Sequence, residues 1–146
     1  EILRCLVGSE MCIRDRSYPV MWKNPGARPK LAFIGCPHLS SAQLAHWADA
    51  ICDGLSASGK CRVQVPTVLT AAPSVADAFR KTAAYRRLST TGAVVSSICP
   101  LMYTNNPLCG SMPIITNSNK LRTYSASRYY TDDEVLAYVT TGKPIK

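Results

Sequence analysis

Along this chain, short unbroken apolar runs alternate with longer stretches in which apolar residues recur every third or fourth position. Leu31-Ala32-Phe33-Ile34 is the first such run. A run without a polar break predicts a strand covered on both faces. A helix follows, capped by Ser40 or Ser41, with Leu44, Trp47, Ala48, Ile51, Cys52 and Leu55 along one face and Gly59 as its stop. Cys61-Arg62-Val63-Gln64-Val65 alternates as a strand does, and Val68-Leu69-Thr70 is expected to extend it beyond Pro66. Ser74 is expected to cap a second helix running to about Leu88, with Val75, Ala78, Phe79 and Thr82 inward. Gly92 leads into a strand from Ala93 to Ile98. Asn105-Asn106-Pro107 and Cys109-Gly110 mark Pro100 to Met112 as a loop, and Pro113 to Ile115 reads as a further strand. Thr131-Asp132-Asp133-Glu134 is a capping box for a last helix, with Val135, Leu136 and Val139 apolar and Gly142 past its end. The order strand, helix, strand, helix, strand, strand, helix predicts an α/β fold of three layers, a mostly parallel sheet with flanking helices.

The amino terminus stands outside this pattern. Leu6-Val7-Gly8-Ser9-Glu10-Met11-Cys12-Ile13-Arg14-Asp15 matches the translation of a transposase adapter used in sequencing libraries. Residues 1–16 are therefore expected to be an artefact, to be set aside from fold reasoning, and the natural gene to begin upstream. Residues 17–29, rich in Pro, Gly and basic side chains, read as a connecting segment, and residues 30–146 are one domain's worth of chain. No apolar run approaches the length of a membrane span. The formal charge is +8, and the three Arg and three acidic residues of the first sixteen cancel, so the excess belongs to the rest. Its cations are scattered, with no basic run interleaved with aromatics of the kind a nucleic-acid groove uses. Neither nucleic acid nor membrane is expected as a partner; a small anionic substrate is. Of seven cysteines, Cys5 and Cys12 fall in or beside the adapter-like stretch. The other five show no Cys-x-x-Cys spacing, which argues against a disulfide framework and a zinc ribbon. Thiols used individually suit a reducing, cytoplasmic setting.

Chemistry gathers where strands are expected to end, the place where open α/β sheets keep their sites. Gly35-Cys36-Pro37-His38 sets a thiol and an imidazole directly after the first strand. Cys99-Pro100 repeats the strand–Cys–Pro arrangement after the third apolar run. A lone cysteine there is ordinarily a small buried hydrophobe, but two thiols at equivalent places point toward metal binding, with a further ligand still needed. Thr116-Asn117-Ser118-Asn119-Lys120 is an ordinary polar turn when taken alone. Its hydroxyls, backbone donors and one ammonium would also suit a carboxylate or phosphate.

Taken together, in this order and at this separation, Gly35-Cys36-Pro37-His38-Leu39-Ser40 with its following helix, the strand ending in Cys99, and Thr116-Asn117-Ser118-Asn119-Lys120 resemble the aconitase X family. The likeness is to the carboxyl-terminal part of its large, catalytic subunit or domain, over Lys30 to Lys146. The resemblance implies an iron-dependent hydro-lyase, a dehydratase of small hydroxy acids. Members act on cis-3-hydroxy-L-proline and on phosphomevalonate, the former being the expectation here. It implies Cys36 and Cys99 as two ligands of an iron–sulfur cluster or a mononuclear iron, with a third cysteine upstream. His38 would orient or protonate the leaving oxygen, and Thr70, Thr116, Asn117, Ser118 and Lys120 would hold the substrate's anionic group. A small swivelling subunit or domain would close the site, so this stretch alone is expected to be inactive. The chain departs from the family at Ser97-Ile98, where Asp-Thr is common before the cysteine, at Thr123-Tyr124, where His-Tyr is common, and at Ala71-Ala72 after Thr70. Two other classes fit the same residues: a degenerate metal-binding domain without catalysis, and a hydrolase with Cys36 as nucleophile and His38 as its base.

Overall fold

The computed structural model describes residues 26–107 and 109–145; the adapter-like segment and most of the connecting segment lie outside them. Five strands form one sheet: β1 (Leu31–Leu39), β2 (Thr67–Ala71), β3 (Val94–Ser96), β4 (Ile114–Thr116) and β5 (Arg128–Tyr129). Among the described residues six helices accompany them: α1 (Ser41–Ala57), α2 (Pro73–Phe79), α3 (Ala83–Thr90), α4 (Pro100–Thr104), α5 (Asn119–Tyr124) and α6 (Asp132–Thr141). The strand order is β3-β2-β1-β4-β5 and every pairing is parallel. The fold is therefore α/β, with a wholly parallel sheet.

β1 sits at the centre, which explains why Leu31 to Ile34 is apolar without a break. Ala32 and Ile34 join Leu69, Val95 and Ile115 beneath α1, α2, α3 and α6, where the larger core lies. Leu31 and Phe33 face the opposite way, into a smaller cluster with Cys36, Ile114 and Leu121. Helices thus cover both faces, as a parallel sheet requires.

Most of the expected elements are present, with four differences. Residues Cys61 to Val65 form no strand; Val63 N–H donates to Thr91 O and Gln64 N–H to Val139 O, so their backbone is spent on a loop. Pro66 has no N–H to give a ladder, and β2 begins only after it. The helix expected from Ser74 to Leu88 is two helices, because Thr82 both ends one and starts the next. Its Oγ1 donates to Phe79 O at 2.7 Å and accepts the Tyr85 N–H at 3.2 Å. In the loop after Cys99, Pro100 occupies the first turn of the short α4, a position where its missing donor costs nothing. β5 is only two residues long, too short to leave an alternation in the sequence. The ends of α1 and α6 are as expected: Ser40 and Gln43 close one capping box, Thr131 and Glu134 the other, and Gly142 ends α6 in the left-handed conformation.

Candidate active site at the strand ends

The chain runs from β1 outward to β3 on one side, then returns to place β4 on the other side of β1. Strand order reverses between β1 and β4, and the crevice at their carboxyl ends is where such sheets bind ligands. Gly35-Cys36-Pro37-His38 lies at one lip of that crevice and Thr116-Asn117-Ser118 at the other.

β1 reaches the crevice in an unusual way. It stays paired with β2 through Leu39, but the register shifts between Ile34 and Leu39, as a bulge would make it do. Gly35 takes φ of +101°, and a Cβ there would lie 2.6 Å from Leu39 Cγ and 2.8 Å from Thr70 O. Only glycine fits. The Cys36–Pro37 peptide is cis. Beyond the shift, Cys36 is buried among Leu31, Phe33, Ile114 and Leu121, whereas Pro37 and His38 are exposed.

Three side chains fasten this segment. Thr70, fully buried on β2, donates its hydroxyl to Gly35 O, with Ile34 O at 3.3 Å. Ser118 donates to Cys36 O and also caps α5 by accepting the Leu121 N–H at 3.1 Å. Asn117 spans the crevice: its Oδ1 accepts the Gly35 N–H at 3.4 Å and its Nδ2 donates to Asp132 Oδ1 at 2.8 Å. Thr116, also fully buried, accepts the Ser118 N–H at 3.1 Å. Lys120 stands exposed on the first turn of α5.

The two lips of the crevice are therefore brought together: Cys36, Thr70, Thr116, Asn117 and Ser118 form one hydrogen-bonded unit, with His38 and Lys120 exposed nearby in sequence. Cys99 is placed differently. It is the N-cap residue of α4 beyond β3, with β2 lying between β3 and β1. All five cysteines among the described residues are free. The donors fit an iron centre by their chemistry, thiolates being the ligands such centres use. Among the described residues, however, no group of three His, Cys, Asp or Glu side chains is close enough to hold a metal. His38 makes no hydrogen bond to Cys36 among the described residues, although a nucleophile and its base need one.

Two residues stand differently from what the sequence suggested. Asp132 reads as part of a capping box, yet its carboxylate also orients Asn117 across the crevice. Only the topology, which starts α6 beside β4, could reveal that. Cys52 is half-buried on the flank of α1 rather than in the core, where burial pushes its thiol above the usual range and the Arg87 guanidinium pulls it partly back. Cys52 stays a thiol at neutral pH and takes no part in the crevice.

Comparison with known proteins agrees with this fold. The model of the aconitase X third domain matches residues 29–135. The crystal structure of Thermococcus kodakaraensis aconitase X in its holo form superimposes with a TM-score of 0.54 at 23% identity. That match covers 81% of this chain and 30% of the other, so the chain spans less than a third of its structural relative. No curated protein matches the sequence. With the third-domain model covering both lips of the crevice and the sheet between them, the chain belongs to the aconitase X family.

Proposed function

We propose that this chain forms the thiol-bearing and anion-binding part of an iron-dependent dehydratase, a hydro-lyase that removes water from a small hydroxy acid. cis-3-Hydroxy-L-proline is the substrate we assign. The observation that carries the proposal is the fastening of the Cys36 segment to Ser118 and Asn117 across the switch-point crevice. A soft ligand and a set of small polar groups are thereby held on opposite lips of one cleft.

In this role Cys36 and Cys99 would be two thiolate ligands of an iron–sulfur or mononuclear iron centre, the third coming from elsewhere in the enzyme. Such a centre, when bound, supplies a Lewis acid for the leaving hydroxyl. The chain's own residues would do the rest. Lys120 would pair with the substrate carboxylate, and Asn117 and Ser118, whose side chains already hold Gly35, Cys36 and Asp132, would set its orientation through the segment they fasten. Thr70 and Thr116, whose hydroxyls already hold backbone, would act by keeping the two lips in place. His38, exposed at the mouth, would give a proton to the departing oxygen. The single ammonium in this set matches the one carboxylate of a hydroxyproline. Phosphomevalonate, the alternative substrate, carries a phosphate as well and would call for more cations. Closure of the crevice by a small swivelling subunit or domain completes the proposal. Free thiols suit a reducing cytoplasm, and among the described residues no helix is long and apolar enough to cross a membrane.

The test is a dehydration assay on the complete enzyme expressed from the source locus. Water is lost from cis-3-hydroxy-L-proline, Cys36→Ser and Cys99→Ser each abolish turnover, and Lys120→Ala acts chiefly by raising KM. Turnover that survives Cys36→Ser would sink the proposal, and turnover of phosphomevalonate alone would move it to the second substrate.

A further inference from the structure

Cys99 leaves the sheet at β3, and β2 lies between that strand and the β1 of Cys36, yet the helix after Cys99 returns toward the centre. Pro100 is buried directly after the thiol, and Leu101 packs against the cluster that holds Cys36. The Tyr103 ring meets Phe33 edge-on at 5.5 Å, a favoured geometry for an aromatic pair. Phe33 stands on β1, three residues before Cys36. Two side chains of α4 thus tie the segment that begins at Cys99 to the surroundings of Cys36.

The far end of the Tyr103 ring is held as well. After α4 the chain doubles back: Asn106 O accepts the Cys109 N–H at 2.9 Å and the Gly110 N–H at 2.8 Å, and Cys109 O accepts the Met112 N–H at 3.0 Å. Gly110 makes the return close, since a Cβ there would lie 3.3 Å from Thr104 O and 3.4 Å from Asn106 O. The return brings Cys109 to Tyr103, whose hydroxyl donates to the thiol, and that bond holds the phenol above its usual range. Met112, where the return ends, packs against the Cys36 cluster. Tyr103 is 42% exposed, so burial alone does not fix its ring; the two contacts do.

We propose that Tyr103 is a positioning residue for Cys99, with Cys109 as the clasp that keeps its ring on Phe33. Cys109 is thereby given a role other than ligand or nucleophile. Cys99 is the N-cap of α4 but its side chain makes no capping hydrogen bond, so the thiol does not anchor the helix. α4 has only five residues and depends on packing for its shape. Tyr103 stands about one turn after Cys99, and releasing its ring frees the turn that begins at the thiol. The use of Cys36 and Cys99 toward iron rests on the function proposed above; the placement of Cys99 by Tyr103 does not.

Alkylation of the complete, metal-free enzyme by iodoacetamide, read cysteine by cysteine, tests it. Tyr103→Ala raises the rate at Cys99 several-fold, with exposed Cys61 as the unchanged reference. Tyr103→Phe and Cys109→Ala each remove the hydroxyl–thiol bond and keep the ring. They raise the rate by a smaller, equal factor, and the double variant raises it no further. Cys109→Ser, whose hydroxyl accepts the same bond, restores the native rate. Tyr85→Ala controls for lost stability: it removes the edge-on partner of Phe79 in the larger core, 5.9 Å away, and lowers the thermal midpoint without changing the Cys99 rate. Three results would overturn the proposal: a native Cys99 rate in Tyr103→Ala, an equal rise in Tyr85→Ala, or a Cys109→Ser variant that behaves as Cys109→Ala. All are read without metal, so loss of the iron assignment leaves the role of Tyr103 standing, and the converse holds.

Discussion

At the scale of single residues, Gly35 is the position on which the crevice depends. Its left-handed φ turns β1 so that Cys36 stays buried while His38 emerges, and the space its missing side chain leaves is filled by Leu39 and by the Thr70 carbonyl. A backbone carbonyl cannot swing aside as a flexible side chain can. Gly35→Ala is expected to cost about 1–3 kcal/mol of stability, the range for a residue forced into a sparsely populated backbone region. Urea unfolding of the two chains measures it; a loss no larger than an ordinary surface substitution would show that β1 has another path. None of this was legible as conformation. The sequence places a glycine between an apolar run and a thiol, which identifies the end of a strand, but φ and the close approach of Thr70 exist only once β2 lies alongside. The same holds for Asn117. Its type and place suggested a polar turn, while its reach to both Gly35 and Asp132 depends on three elements that are far apart in the chain.

At the scale of elements, legibility followed how local the determinant was. Both capping boxes were readable because each is a four-residue motif whose partners are set by helix geometry alone. Thr131→Ala should therefore cost about 1 kcal/mol, the usual loss of a side-chain cap, and it should also loosen the crevice, since the cap starts the helix from which Asp132 holds Asn117. Hydrogen exchange separates the two effects: faster exchange at the Gly35 amide as well as in α6 is expected, and a change confined to α6 would detach Asp132 from the site. Elements governed by distant partners were misjudged. The alternation of Cys61 to Val65 has the period of a strand, yet its N–H groups are taken by Thr91 and Val139, and Pro66 interrupts the ladder. Thr82 splits a helix that its apolar spacing would have continued. β5 exists only because β4 offers an edge to pair with.

For the whole molecule, alternation of strand and helix was enough to predict a parallel α/β sheet, and the order β3-β2-β1-β4-β5 was not. That order decides everything about the site. It puts the Cys36 and Ser118 segments side by side at the switch point and leaves Cys99 beyond the neighbouring strand. Global stability carries a pH signature from the opposite end of the chain. Burial, helped by a hydrogen bond with Tyr138, pushes the Tyr130 phenol up to about 12. An unfolded tyrosine ionises near about 10. Between those values the unfolded chain releases a proton that the folded chain keeps, so stability is intact below about pH 10 and falls toward pH 12. Denaturation midpoints across that window should drop more steeply for the native chain than for Tyr130→Phe. Equal slopes would mean that the phenol is solvated in the folded state.

The central claim is that Cys36 and Cys99 act as a pair toward iron. Differential alkylation of the complete enzyme, which brings the third ligand, kept anaerobic with and without ferrous iron and read cysteine by cysteine, tests it most directly. Iron is expected to suppress modification of Cys36 and Cys99 together, with exposed Cys61 as the unchanged reference, and Cys36→Ser should abolish the protection of Cys99. If Cys36 and Cys99 respond independently or not at all, while metal-free Cys36 reacts quickly only when His38 is present, the thiol is a nucleophile and the iron assignment is wrong.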